Sequence, residues 1–270
     1  MQARNYLKRS PIVPFVVLAY TLPIPILLYE IIDLPFELLL IYASWTPNIA
    51  AFVVIKFILR EDKGMRTLIA GWGKWKVGPG WYIAAISPIL ISFLTVAVYL
   101  IFGGETTDPG QPILTSILLS IVVGLITGAL GEELGWRGFL LPRLQQRYNA
   151  LMSSLIVGLI WALWHLPLWL LPGLIWAEIP FWTFALGVVS ISVLMTWVLN
   201  NTNGSLVMAS LIHLSMNVGL SLVGILGLMS SPGDYWQIAA FLFSGYAILI
   251  IFFAGYIDLS SISLTRLQER

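Results

Sequence analysis

Long runs of apolar residues separated by short polar connections extend along the whole chain. An α-helix needs about 20 mostly apolar residues to cross the hydrocarbon core of a bilayer, and eight stretches meet or approach that length. They are predicted near Ile12 to Tyr29, Leu38 to Phe57, Tyr82 to Phe102, Ile113 to Gly131, Leu151 to Leu171, Phe181 to Leu199, Leu206 to Leu228 and Ile238 to Ile257. The connections Gly103 to Gly110, Asn200 to Ser205 and Ser230 to Asp234 are rich in Gly, Asn, Pro, Ser and Asp, as turns between helices should be. No second domain, low-complexity tract or clear internal repeat interrupts the series. Residues 1–270 are therefore read as one all-α, polytopic membrane domain.

Charge tests the span count independently, because short cytoplasmic loops collect Lys and Arg. All 14 bases fall on alternate segments: Arg4, Lys8 and Arg9, then Lys56 to Lys76, then Arg137, Arg143 and Arg147, then Arg266 and Arg270. The opposite loops hold Glu30, Asp33, Glu37, Glu105, Asp108, Glu178 and Asp234 with no base among them. Eight transmembrane helices with both termini cytoplasmic fit this distribution, whereas one span more or fewer would put bases on both sides. The first stretch follows a basic start in the manner of a signal peptide. No small-residue cleavage pattern follows it, however, and prolines at 23 and 25 interrupt it, so it is read as a retained helix. Gly71 to Trp81, with three Trp among Lys74 and Lys76, reads as an interfacial anchor.

Composition narrows the class further. The chain is 59% hydrophobic and 10% charged, with a mean hydropathy of +0.90, against about 45–50% apolar and 25% charged for a soluble domain. That excludes soluble, disordered and fibrous classes. A net charge of +1 gives no sign of a nucleic-acid partner. The absence of cysteine removes disulfides, thiol nucleophiles and Cys-type zinc sites.

Ionisable groups at membrane depth are costly, so Glu132, Glu133, His165 and His213 stand out, the last two being every histidine in the chain. Glu133 and Arg137 are four apart on one helical face and are expected to form an intrahelical ion pair of mainly structural role. Glu132 points about 100° away from that pair and remains the carboxylate with chemistry to do. Glu132 and His165 are almost equidistant from the turn at Tyr148 and Asn149, each about 24 Å from its tip, so they are expected to share one level. Pro142, between them, is able to disturb that register. His213 and Asn217, also four apart, present an imidazole and an amide on one face, able to hold the oxygen of a polarised carbonyl or to join helices. The Trp161 and Trp164 stripe reads as packing. A free carboxylate, a histidine across the hairpin and a His-Asn face together favour hydrolysis.

At these residues the sequence resembles the CPBP family of intramembrane endopeptidases, which includes Rce1-like CAAX prenyl proteases and bacteriocin-immunity proteins. The motif Glu-Glu-x-x-x-Arg stands as Glu132, Glu133 and Arg137; Phe-x-x-x-His as Trp161 and His165, with Trp replacing the usual Phe; His-x-x-x-Asn as His213 and Asn217. The motif-bearing core covers about residues 113–228. The resemblance implies peptide-bond hydrolysis inside the membrane, with Glu132 as general base on a water, His165 orienting it, and His213 and Asn217 stabilising the oxyanion.

The family has been described both as glutamate-dependent and as metal-dependent. Zinc would have to use Glu132, His165 and His213, but no His-Glu-x-x-His helix exists and Asn217 is a poor zinc ligand, so a cofactor-free mechanism is favoured. The partners implied are the lipid bilayer and a membrane-tethered peptide or protein: a prenylated CAAX protein as in eukaryotic relatives, or a membrane-bound peptide or bacteriocin-related precursor in a prokaryote. The corresponding location is a prokaryotic cell membrane, or the ER membrane of a eukaryote. Two other functions share the pattern: a proton-coupled transporter relaying protons through Glu132 and the histidines, and a non-catalytic immunity or scaffold member of the same family.

Overall fold

A computed structural model describes residues 10–28, 34–61, 63–109, 112–171 and 173–260. All regular structure among them is helical. Eleven α-helical segments carry the architecture: α1 (Ile12–Thr21), α2 (Phe36–Val53), α3 (Gly64–Ala70), α4 (Pro79–Ile101), α5 (Ile113–Val123), α6 (Leu130–Glu133), α7 (Leu141–Gln145), α8 (Ala150–Trp164), α9 (Phe181–Asn201), α10 (Leu206–Ile225) and α11 (Pro232–Ala254). Seven continuous helical rods among the described residues are long and apolar enough to cross a membrane: Phe36–Leu59, Pro79–Ile101, Ile113–Gln145, Ala150–Leu170, Phe181–Asn201, Leu206–Ile225 and Pro232–Ala254.

The first expected span is shorter than its hydropathy suggested. Its α-helix ends at Thr21 and gives way to a 3₁₀ turn over Ile24–Leu28, making an apolar unit of Ile12–Leu28. Pro23 and Pro25 lack the N–H groups that would continue the ladder, which is the physical reason for the break. The expected end at Tyr29 lies outside the described residues.

The fourth span departs in the other direction. Hydropathy ends it near Gly131, yet the rod runs 33 residues, Ile113–Gln145. Two π-helical segments, Gly124–Ala129 and Leu134–Leu140, lie on either side of α6, which carries the two glutamates. Wide π turns leave backbone groups unsatisfied in a place without bulk water, so neighbouring side chains must supply partners. Trp45 Nε1 donates to the Ile126 carbonyl (3.0 Å) and Ser210 Oγ to that of Ala129 (2.8 Å). Asn48 donates from Nδ2 to the Leu130 carbonyl (2.7 Å) and accepts the Gly135 N–H on Oδ1 (2.9 Å). Pro142 falls at the start of α7, directly after the π segment Leu134–Leu140, and the rod continues through it.

α9 is the most enclosed of the seven rods and packs against both α8 and α11, while α10 lies along α4 and the first π segment. Small residues set the spacing, as is usual where helices associate without a hydrophobic driving force. A β-carbon on Gly158 of α8 would stand 2.7 Å from the Val189 Cα of α9, and Ser192 Oγ donates across the same seam to the Ser154 carbonyl (2.9 Å). α5 buries none of its residues and presents Leu114, Leu118 and Leu119 outward. The segment after α3 is tied to the α9–α10 turn through Lys74 Nζ on the Asn203 carbonyl and Ser205 Oγ on the Lys74 carbonyl, both 2.5 Å. Trp75 remains exposed beside Lys76, with the ammonium 5.4 Å from its ring centroid.

Candidate active site

The four polar residues singled out from the sequence, Glu132, His165, His213 and Asn217, line one cavity of about 310 Å³. Its remaining walls are largely apolar and aromatic, among them Trp161, Trp164, Phe184 and Trp236. A wider hollow of about 960 Å³ lies beside Lys63, Lys74, Arg143 and Arg147 and holds none of the four.

Glu132 is 4% exposed. Its Oε2 accepts from two indoles, Trp161 Nε1 at 2.6 Å and Trp136 Nε1 at 3.3 Å. Glu133, on the other side of α6, is fully enclosed, and its Oε1 accepts from Arg137 NH1 (3.1 Å) and from His213 Nδ1 (2.7 Å). The ion pair expected between Glu133 and Arg137 is present. The sequence did not suggest that the same oxygen also holds His213, so Glu133 bridges an arginine and an imidazole from different helices.

The Arg137 guanidinium lies 4.1 Å from the Trp161 ring centroid, so a π face covers part of a cation whose Nε and NH2 have no hydrogen-bond partner. Buried charges persist when paired and hydrogen-bonded, and here one carboxylate oxygen and one aromatic face do that work between them.

His165 follows the last residue of α8 as its C-cap, because Pro167 turns the chain into the 3₁₀ segment Leu166–Leu170. Its Nδ1 lies 2.9 Å from the Trp161 carbonyl. A carbonyl only accepts, so Nδ1 carries a proton, and in the neutral ring Nε2 keeps its lone pair. The ring is held edge to face by Trp164 and Phe184, with centroids at 4.8 and 5.2 Å.

His213 and Asn217 share one face of α10, as their spacing required. A β-carbon built on Gly128 would stand 2.5 Å from Asn217 Nδ2 and 2.7 Å from His213 Nε2. These two atoms therefore lie side by side over the first π segment, and the lack of a side chain at Gly128 leaves the space in front of them open. A carboxylate, an imidazole and two neighbouring nitrogens lining one cavity form a set suited to acyl transfer to water.

Glu132, His165 and His213 border the same cavity, but among the described residues no three His, Asp or Glu side chains form a group able to hold a metal ion. Glu133 Oε1 holds the Nδ1 of His213 and two indoles hold Oε2 of Glu132, so Nε2 of His213 and Oε1 of Glu132 are the atoms these two residues have left for a ligand.

Two contributors were missed in the sequence. Asn48 fixes the backbone on both sides of the glutamates, and its signal was available, since a mid-span amide is as unusual as a mid-span histidine. Trp161, read as packing, is a hydrogen-bond donor to Glu132.

Comparison with known proteins bears on the same region. Residues 112–219 match the family model described as type II CAAX prenyl endopeptidase Rce1-like, an interval that contains all four cavity residues. Over 144 residues the chain is 27% identical to the CAAX prenyl protease 2 of Methanococcus maripaludis, which covers 50% of this chain and 53% of that protein. The chain thus spans about half the length of the curated relative it matches. Together with the seven apolar rods, the match makes the chain an integral, multi-pass membrane protein.

Proposed function

We propose that the chain, whose residues 112–219 match the Rce1-like family model, is an intramembrane endopeptidase that hydrolyses a peptide bond near the lipid-anchored end of a membrane-associated, prenylated protein or peptide. One observation carries the reading: a carboxylate, an imidazole and a His-Asn pair, contributed by three separate rods, border a single cavity. The whole chain, residues 1–270, acts as one protease domain in a prokaryotic cell membrane. The unit Ile12–Leu28 supplies an eighth, shorter span and both termini lie in the cytoplasm, in keeping with the distribution of the 14 bases.

In the proposed mechanism Glu132 takes a proton from a water, and the water oxygen attacks the scissile carbonyl carbon. His165 orients the water through Nε2, since its Nδ1 proton is committed to the Trp161 carbonyl. The carbonyl π electrons move to oxygen, which is received by His213 Nε2 and the Asn217 amide. His213 Nδ1 is held by Glu133, so Nε2 is an N–H donor when the ring is imidazolium paired with that carboxylate. Collapse of the tetrahedral intermediate breaks the C–N bond, and the proton held by Glu132 goes to the leaving amine.

The test is cleavage of a prenylated, membrane-tethered peptide by purified protein in nanodiscs, with Glu132→Gln and His165→Ala as controls and each assay repeated after chelation. Cleavage that survives chelation and is abolished in both folded variants is expected. Equal cleavage by wild type and Glu132→Gln overturns the reading. No cleavage by either points to a non-catalytic member, and recovery only on adding zinc overturns the metal-free route.

A further inference from the structure

Trp161, in the cavity wall, meets Glu132, His165, His213 and Arg137. Its Nε1–H donates to Glu132 Oε2 at 2.6 Å, its carbonyl takes the Nδ1 proton of His165 at 2.9 Å, and its ring lies 4.1 Å from the Arg137 guanidinium carbon and 5.1 Å, centroid to centroid, from His213. It is 1% exposed, so neither its indole N–H nor the carboxylate it meets has bulk water as a substitute partner.

The two indole donors on Glu132 are not equivalent. Trp136 lies four residues along the same rod, its contact is longer at 3.3 Å, and it moves with the carboxylate it binds. Trp161 comes from α8, so its bond fixes the glutamate relative to a second helix, the one that ends in His165. Both donors use Oε2. Oε1 accepts no hydrogen bond from a described residue, and it is absent from the sealed atoms that lack a partner. Glu132 is therefore held by one oxygen and turned so that the other opens on the cavity. A phenylalanine, the usual residue at this point of the motif that Trp161 and His165 resemble, fills similar volume but has no N–H to do this.

We infer that Trp161 is a positioning residue: its indole N–H locks the rotamer of Glu132, and its carbonyl sets the tautomer of His165, so that the free carboxylate oxygen and the free imidazole nitrogen face the same water. This rests on the proposed peptidase mechanism for its kinetic consequence, whereas the hydrogen bond itself is testable without activity.

Two measurements separate the layers. In protein ¹⁵N-labelled at the tryptophan indoles, the Trp161 Nε1–H resonance, assigned by its disappearance in Trp161→Phe, is expected to move on Glu132→Gln while that of the exposed Trp182 does not. Replacement of Trp161 by benzothienylalanine keeps the bicyclic shape and deletes only the N–H. It is expected to lower kcat about ten- to a hundredfold with KM unchanged, the range for losing a hydrogen bond to a charged group. A Trp161 resonance indifferent to Glu132→Gln overturns the bond, and a benzothienylalanine enzyme with wild-type kcat overturns the positioning role. Full activity of Glu132→Gln would instead overturn the underlying mechanism and leave the indole measurement standing. Should Trp161→Phe fail to fold, assignment by specific labelling at position 161 keeps both measurements readable.

Discussion

Replacing Gly128 by alanine adds one methyl group at the point where the proposed oxyanion donors converge. The new carbon would stand 2.5 Å from Asn217 Nδ2, 2.7 Å from His213 Nε2 and 3.0 Å from His213 Cδ2. Ordinary carbon–nitrogen contacts need about 3.4 Å or more, so at least one donor must retreat by close to 1 Å. His213 has little freedom to do so, because Glu133 holds its Nδ1 at 2.7 Å and the Trp161 ring packs 5.1 Å away. Asn217 yields first, and the methyl then fills the space the substrate oxygen would occupy. Loss of one oxyanion donor costs about 10²–10³ in kcat, and both donors are obstructed here, so activity should fall at least a hundredfold. Overpacking costs about 1–3 kcal/mol, so the fold should survive with a lowered Tm. The assay is initial-rate cleavage of a prenylated, membrane-tethered peptide in nanodiscs, paired with thermal unfolding. Gly224→Ala is the control, as a β-carbon there meets nothing within 4 Å. A folded Gly128→Ala protein that cleaves within about threefold of wild type would refute the placement of the oxyanion between these two nitrogens.

Two further substitutions probe the scaffold behind the site. Asn48→Leu strips partners from the Leu130 carbonyl and the Gly135 N–H, each enclosed and each costing about 1–3 kcal/mol when left unsatisfied. Hydrogen exchange should show the Gly135 amide losing protection, and unchanged protection would contradict the idea that Asn48 clamps the π segments. Glu133→Gln leaves Arg137 enclosed without a counter-ion, a change worth about 3–5 kcal/mol, visible as a lowered Tm. Adding Arg137→Met should restore most of the Tm but not peptidase activity, because His213 still lacks its carboxylate. Recovery of both would reduce Glu133 to a purely structural role.

Helical class and the grouping of motifs were legible in the chain because they depend on two simple periodicities. Apolar runs of bilayer length marked the rods, and a spacing of four put Glu133 over Arg137 and His213 over Asn217. The equal distances of Glu132 and His165 from the Tyr148 turn put them at one level, and both border the same cavity. Hydropathy reports the environment of a lipid-facing surface, however, and it failed where the protein supplies its own. The rod Ile113–Gln145 continues past Gly131 because Asn48, Ser210 and Trp45 satisfy its backbone and His213 and Arg137 satisfy its charges. The π segments were invisible for a related reason. They are stabilised by side chains at positions 45, 48 and 210, far away in sequence, and no local pattern encodes them. Trp161 was misjudged because an indole in an apolar run is indistinguishable from packing until its N–H has a partner in view.

The charges around the cavity suggest why two glutamates and an arginine accompany the histidines. Glu133 and Arg137 cancel each other at 3.1 Å, leaving Glu132 and the imidazole of His213 as the remaining pair within the enclosed group. When the His213 ring is imidazolium, as the oxyanion role proposed for its Nε2 requires, the proposed mechanism starts with one negative charge on Glu132 and one positive charge on His213. When Glu132 takes the proton of the water, its charge vanishes and a new negative charge develops on the substrate oxygen beside His213 Nε2. The site is electrically neutral before and after the step, and the charge only moves across the cavity. In a medium of low dielectric a change of net charge would be penalised heavily, whereas relocating one charge toward a fixed cation is favoured. With Glu133 absent the imidazolium would have no paired carboxylate, and with Arg137 absent Glu133 would itself add an uncompensated charge. In the proposed mechanism the constant sum of these charges, rather than any single pair, is what this arrangement of side chains supplies to the reaction.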